Sequence, residues 1–77
     1  MQLVKGMVQL GGTTYRIVRL ERGRYEVYRI LDDARLGTFR ARPKIEVTSG
    51  EDENLLLLVA RAAIQTGKTS WVGRLVS

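Results

Sequence analysis

Polar and apolar residues alternate along the front of the chain in the manner of strands. Thr13-Thr14-Tyr15-Arg16-Ile17-Val18-Arg19-Leu20 and Arg24-Tyr25-Glu26-Val27-Tyr28-Arg29-Ile30-Leu31 are rich in β-branched and aromatic residues. Gly11-Gly12, after Met7-Val8-Gln9-Leu10, suits a tight hairpin, because both central positions of such a turn require positive φ. Gly23 and the run Asp32-Asp33-Ala34-Arg35 mark two further turns. Leu36-Gly37-Thr38-Phe39-Arg40-Ala41-Arg42 then reads as a fourth strand. Pro43, the only proline, interrupts it, and Lys44-Ile45-Glu46-Val47-Thr48 resumes either as a continuation or as an edge.

Beyond this point the pattern becomes helical. Thr48-Ser49-Gly50-Glu51 has the form of a capping box, and Glu51, Asp52 and Glu53 place negative charge where a helix N-terminus favours it. Gly67 with Lys68 suits the C-terminal stop. Between these ends, Leu55, Leu58, Val59, Ala62 and Ala63 are expected to face the sheet, while Leu56, Leu57, Ala60 and Ile64 widen the apolar surface beyond one stripe. Ser70-Trp71-Val72-Gly73-Arg74-Leu75-Val76 suits a short final strand. The expected fold is α+β, an antiparallel four- to five-stranded meander packed against one C-terminal helix, forming a single compact domain over residues 1–77.

The length, 77 residues, limits what such a fold can bury: a chain this small hides only about three-fifths of its surface. Small domains often compensate with disulfides, metals or partner subunits. The chain has no Cys and no His, which leaves tight packing or self-association. A homodimer is therefore expected, with Leu56, Leu57, Ala60 and Ile64 at its interface and Trp71 available to close it.

Charge adds a second expectation. Thirteen Lys and Arg stand against eight Asp and Glu, a net +5 with a pI near 10.2, which points to an anionic partner. Residues 1–44 hold ten basic and four acidic groups; residues 45–77 hold three and four. Strand alternation divides the front into two sets. Val4, Val8, Leu10, Val18, Leu20, Tyr28, Ile30, Phe39 and Ala41 are expected beneath the helix. Lys5, Tyr15, Ile17, Arg19, Tyr25, Val27, Arg29, Thr38, Arg40 and Arg42 are expected on an open face.

That open set combines cations with flat rings, the chemistry of a nucleic-acid platform. Arg19, Arg29, Arg40 and Arg42 would hold phosphates, the loop arginines Arg22, Arg24 and Arg35 would extend the track, and Tyr15 and Tyr25 would stack bases. The expected partner is nucleic acid, with single-stranded DNA or RNA favoured over duplex. The rival reading is a protein-interaction or dimerisation module of a mobile element, whose arginines serve solubility or an acidic protein.

In element order, a basic meander followed through Ile45-Glu46-Val47 into one helix resembles the coactivator-type single-stranded-DNA-binding domains, which dimerise through their helices. Leu36-Gly37-Thr38-Phe39 is similar to the last strand of the integrase arm-binding domains, where the helix follows almost at once; here some ten residues intervene. Both resemblances imply a nucleic-acid binder.

Catalysis has little to draw on. Without His or Cys the usual general base, thiolate nucleophile and transition-metal ligands are missing, so neither catalytic residues, metal nor cofactor are expected. Asp32-Asp33 suits a turn better than a carboxylate pair. Thr66-Gly67-Lys68-Thr69-Ser70 carries the end of a P-loop motif, but Ala62 stands where its first glycine belongs. The longest apolar run, Leu55–Ala60, is too short to cross a bilayer, and the N-terminus lacks a signal-peptide pattern, so a cytoplasmic location without membrane contact is expected.

Overall fold

The computed structural model describes residues 2–66. Strand β1 (Gln2–Val4) is followed by β2 (Met7–Leu10), β3 (Thr13–Arg19), β4 (Arg24–Arg29), β5 (Ala34–Arg40) and β6 (Glu46–Gly50), then helix α1 (Glu53–Ala63) and strand β7 (Ile64–Thr66). β2 to β6 form one antiparallel sheet in sequence order, a five-stranded meander, and β1 pairs antiparallel with β7 in a separate two-stranded ribbon. The helix lies against β2, β5, β6 and β7. The architecture is the expected α+β meander with one helix, and the segment after Pro43 is an edge strand that turns back along β5. The strand expected at Ser70–Val76, and Trp71 with it, lies outside the described residues.

The turns follow from their residues. Gly11 and Gly12 have φ of 54° and 82°, and Leu10 pairs directly with Thr13, so two residues reverse the chain. At the β3–β4 turn, Arg22 and Gly23 both have positive φ, closed by a 3.1 Å hydrogen bond from the Arg24 N–H to the Glu21 carbonyl. At the β4–β5 turn, Asp32 accepts a 3.3 Å bond from the Ala34 N–H while Asp33 takes positive φ.

The helix begins later than the capping-box reading places it. Asp52 is the N-cap, its Oδ1 accepting from the Leu55 N–H at 3.1 Å. Thr48 and Ser49 belong instead to β6, where their hydroxyls lie 2.6 and 2.7 Å from the Thr38 hydroxyl. The helix also ends before Gly67: at Ile64 the backbone turns extended, and Ile64-Gln65-Thr66 pairs with Gln2-Leu3-Val4. Tertiary pairing here overrides the local helical preference.

The core lies between the sheet and α1. Val27, Phe39, Leu56 and Val59 are fully enclosed, joined by Val8, Tyr15, Ile17, Ala60 and Ala63. Enclosing each of the larger aliphatic or aromatic groups stabilises by roughly 1.5–3 kcal/mol. Leu56, Val59, Ala60 and Ala63 make one helical stripe, spaced by three and four residues. Leu58 points outward and is 55 % exposed. This corrects two expectations: Leu58 does not face the sheet, and Leu56 and Ala60 are buried within the chain's own core and cannot also cover a partner. The surplus of apolar helix surface that suggested a homodimer is correspondingly smaller, with Leu57 and Ile64 half-buried.

Where β5 meets β6, two glycines let Leu56 in. Gly37 and Gly50 are register partners, with φ of 155° and 130°. A Cβ on Gly37 would lie 2.7 Å from Leu56 Cδ1 and 2.9 Å from Gly50 Cα, and would strike the Ser49 carbonyl oxygen. The leucine therefore seats on bare backbone.

Candidate nucleic-acid interface

The faces of the two central strands are exchanged relative to the alternation reading. Val8, Phe39 and Ala41 are buried as expected. In β3 and β4, however, Tyr15, Ile17 and Val27 are the buried residues, while Val18 and Tyr28 lie on the outer side. The register pairs Ile17 with Val27 at the centre, Tyr15 with Arg29 at one end and Arg19 with Tyr25 at the other. The inner face is thus an apolar middle with an arginine at each margin, where a long side chain can carry its charge past the helix. Those marginal arginines make the set look like an open polar face in sequence.

This placement removes the base-stacking platform. Tyr15 is only 6 % exposed. Tyr25 is half-buried, its ring stacked on Phe39 with centroids 5.4 Å apart. Arg29 is held by a two-point bond to Asp32, Nε to Oδ1 at 2.9 Å and Nη2 to Oδ2 at 2.8 Å. That contact lowers the Asp32 carboxyl to about 2 and raises the Arg29 guanidinium, each through the hydrogen bond first. Arg29 braces the β4–β5 turn. Arg19 is exposed at the end of β3 on the helix side of the sheet, apart from the other predicted phosphate ligands.

Much of the outer face is also satisfied internally. Arg16 lies over the Tyr28 ring, 5.2 Å from its centroid, and reaches Asp33 at 3.4 Å. The Tyr28 hydroxyl donates to Glu26 at 2.7 Å, and Arg35 Nε donates to the other Glu26 oxygen. The bond from Arg35, then that from Tyr28, holds the Glu26 carboxyl below its ordinary value; the same contact with Glu26 raises the Tyr28 hydroxyl. The sequence reading assigns no role to Arg16 and places Tyr28 beneath the helix; the register of β3 on β4 brings the two together on this face instead.

Four further arginines collect at one corner. The register sets Arg24 of β4 directly opposite Arg40 of β5. Arg22 from the β3–β4 turn and Arg42 from beyond β5 complete an open depression of about 520 Å³, with Glu21 as the one acidic lining residue. A 3.1 Å bond from the Ala41 N–H to the Gly23 carbonyl ties the turn to the end of β5. Arg40 lies 4.0 Å from Glu46; among the described residues, Arg22, Arg24 and Arg42 have no ion-pair partner. The Nε of Arg24 is buried with no hydrogen-bond partner. Four of the nine residues expected to bind nucleic acid are therefore brought together; Tyr15, Arg19, Tyr25 and Arg29 are not among them, nor is Arg35, which is bonded to Glu26 instead.

A second, smaller depression of about 180 Å³ lies by the helix N-terminus, lined by Arg29, Arg35, Glu51, Asp52 and three leucines. Both of its arginines are already bonded to carboxylates, and the acids balance them. No helix among the described residues is long and apolar enough to cross a membrane. No family model matches the chain, and no curated protein or solved structure is significantly similar to it, so the two resemblances in element order stand without a relative.

Proposed function

We propose that this chain is a small, non-enzymatic nucleic-acid-binding protein that holds the phosphate backbone in the four-arginine depression. One observation carries the reading. Arg24 faces Arg40 across the strands with Arg22 and Arg42 beside them. Of these four only Arg40 has a carboxylate, Glu46 at 4.0 Å, among the described residues, whereas Arg16, Arg29 and Arg35 are each held by one. Like charges directly opposite on a sheet cost stability. A bound polyanion reverses that cost, since guanidinium and phosphate pair through two parallel hydrogen bonds. With Tyr15 and Tyr25 drawn into the core, binding rests on charge, and the earlier preference for single strands loses its stacking support.

Labelled single- and double-stranded oligonucleotides, titrated at two salt concentrations, test the proposal. Micromolar binding in low salt is expected, with a log–log salt slope no steeper than about −3 for single strands, as four phosphate contacts allow. Arg24→Glu combined with Arg42→Glu should abolish it without changing the circular dichroism of the fold. No salt-sensitive binding tighter than about 10 µM in low salt overturns the reading.

A further inference from the structure

We propose that the depression receives the terminal phosphomonoester of a nucleic-acid strand in preference to a run of internal phosphodiesters. The inference rests on the nucleic-acid reading above and narrows its ligand.

A surface that tracks a continuous backbone needs cations spread along it. On the outer face of the meander, Arg16 and Arg35 are each held by a carboxylate, whereas Arg24 has no ion-pair partner among the described residues and Arg40 has only Glu46 at 4.0 Å; both lie in the depression. The positive charge of that face is therefore concentrated in the depression. It is also concave, drawn from the β3–β4 turn, the start of β4 and the end of β5, with the Ala41-to-Gly23 bond fixing those segments to one another. A volume of about 520 Å³ has room for a phosphate group and the nucleotide that carries it.

The charge count agrees. Four guanidiniums face Glu21 in the lining and Glu46 beside Arg40, an excess of two to three positive charges. A phosphomonoester carries about −1.5 to −2 at neutral pH and offers three acceptor oxygens. An internal diester carries one negative charge. Arg24 adds a geometric reason: with its Nε–H shut away from water, the guanidinium has its two Nη groups to offer to the depression it lines. Two Nη groups take an oxyanion end-on at two points, which the single ammonium of a lysine does not.

The test compares one oligonucleotide sequence carrying a 5′-phosphate, a 3′-phosphate or neither, by fluorescence anisotropy at fixed salt, with inorganic phosphate and pyrophosphate as competitors. A gain of about tenfold for a phosphorylated end is expected, the effect of one added charge-assisted pair. Arg24→Lys, which keeps the charge and loses the fork, should weaken binding of all three oligonucleotides and weaken the phosphorylated ones most, so that the ratio between phosphorylated and unphosphorylated strands falls toward one. Equal affinity for all three oligonucleotides overturns end recognition while leaving backbone binding in place. Failure of every oligonucleotide to bind overturns both readings. Inorganic phosphate or pyrophosphate binding as tightly as the phosphorylated strand also overturns the proposal, because the ligand is then a free anion. An undiminished preference in Arg24→Lys removes Arg24 from the site and overturns the assignment.

Discussion

Replacing Gly37 by alanine puts a methyl group where α1 and β6 already meet. The new Cβ would lie 2.7 Å from Leu56 Cδ1 and 2.9 Å from Gly50 Cα, with the Ser49 carbonyl closer still, and φ at this position is 155°. Backbone carbon and oxygen cannot retreat as the end of a flexible side chain can. Holding a non-glycine residue in this region of φ costs about 1–3 kcal/mol. Overfilling a packed contact costs about 1–3 kcal/mol more. A loss near 3–4 kcal/mol is a large part of the roughly 5–15 kcal/mol that stabilises a typical domain. For a chain of this size it lowers Tm by at least about 12 °C. Urea unfolding followed by circular dichroism measures it, with Gly6→Ala as control, because nothing lies within 4 Å of a Cβ there. The control should shift stability by less than about 0.5 kcal/mol. Leu56→Ala alone should cost about 2–5 kcal/mol. Combined with Gly37→Ala it should cost less than the sum, because the leucine is one of the groups struck. A Gly37→Ala protein within about 1 kcal/mol of the parent, or strict additivity with Leu56→Ala, refutes the reasoning.

Two further outcomes follow from the same coordinates. The Asp32 carboxyl lies at about 2 against an ordinary 3.8, chiefly through the Arg29 bond, so its contribution is complete above the unfolded value and is lost as pH falls from about 3.8 through about 2. Asp32→Asn should be less stable than the parent at neutral pH, and the gap should close across that acid window; a gap that stays constant in urea midpoints down to pH 2 contradicts this. On the helix, Leu58→Glu should fold with stability within about 0.5 kcal/mol of the parent, whereas Leu56→Glu should fail to fold, since one residue is 55 % exposed and the other 1 %. Circular dichroism of the two variants decides it, and the opposite order would mean that α1 presents its other side to the sheet.

The elements were largely legible because their signals are local. Gly11-Gly12 can hardly serve anything but a two-residue reversal, and the strand that follows it is dense in β-branched and aromatic residues. The inner and outer faces were harder to read because both are half apolar. Val18, Leu20 and Tyr28 look as suitable for a core as Tyr15, Ile17 and Val27 do. What separates the sets is long-range. A bulge between Val27 and Tyr28 shifts the register of β4 on β5, so Phe39 aligns with Tyr25. That puts Phe39 on the same side as Ile17 and Val27, a relation that strand parity alone does not carry. Asp52 was named as a charge at the helix start, yet Thr48 and Ser49 drew the cap away from it, their hydroxyls being equally suited to capping and to the Thr38 contact they make in β6. The corner cluster could be read only in part. Arg22, Arg24, Arg40 and Arg42 stand out by composition, but their convergence depends on Arg24 pairing with Arg40 across the β4–β5 hairpin.

The β1–β7 ribbon gives the chain the topology of a ring. Val4 pairs with Ile64, about sixty positions away, whereas Leu10 and Thr13 meet across two residues. Closing the longer loop costs roughly 2.5 kcal/mol more in chain entropy, about four doublings of length. The ribbon has only three residue pairs to offset that, and two strands alone are marginal in water. The order of assembly follows: hairpins of the meander first, the helix onto them, and the clasp between the two ends last. On unfolding the same clasp opens first, so amide protons at both ends of the described chain should exchange together while those around Val27 remain protected.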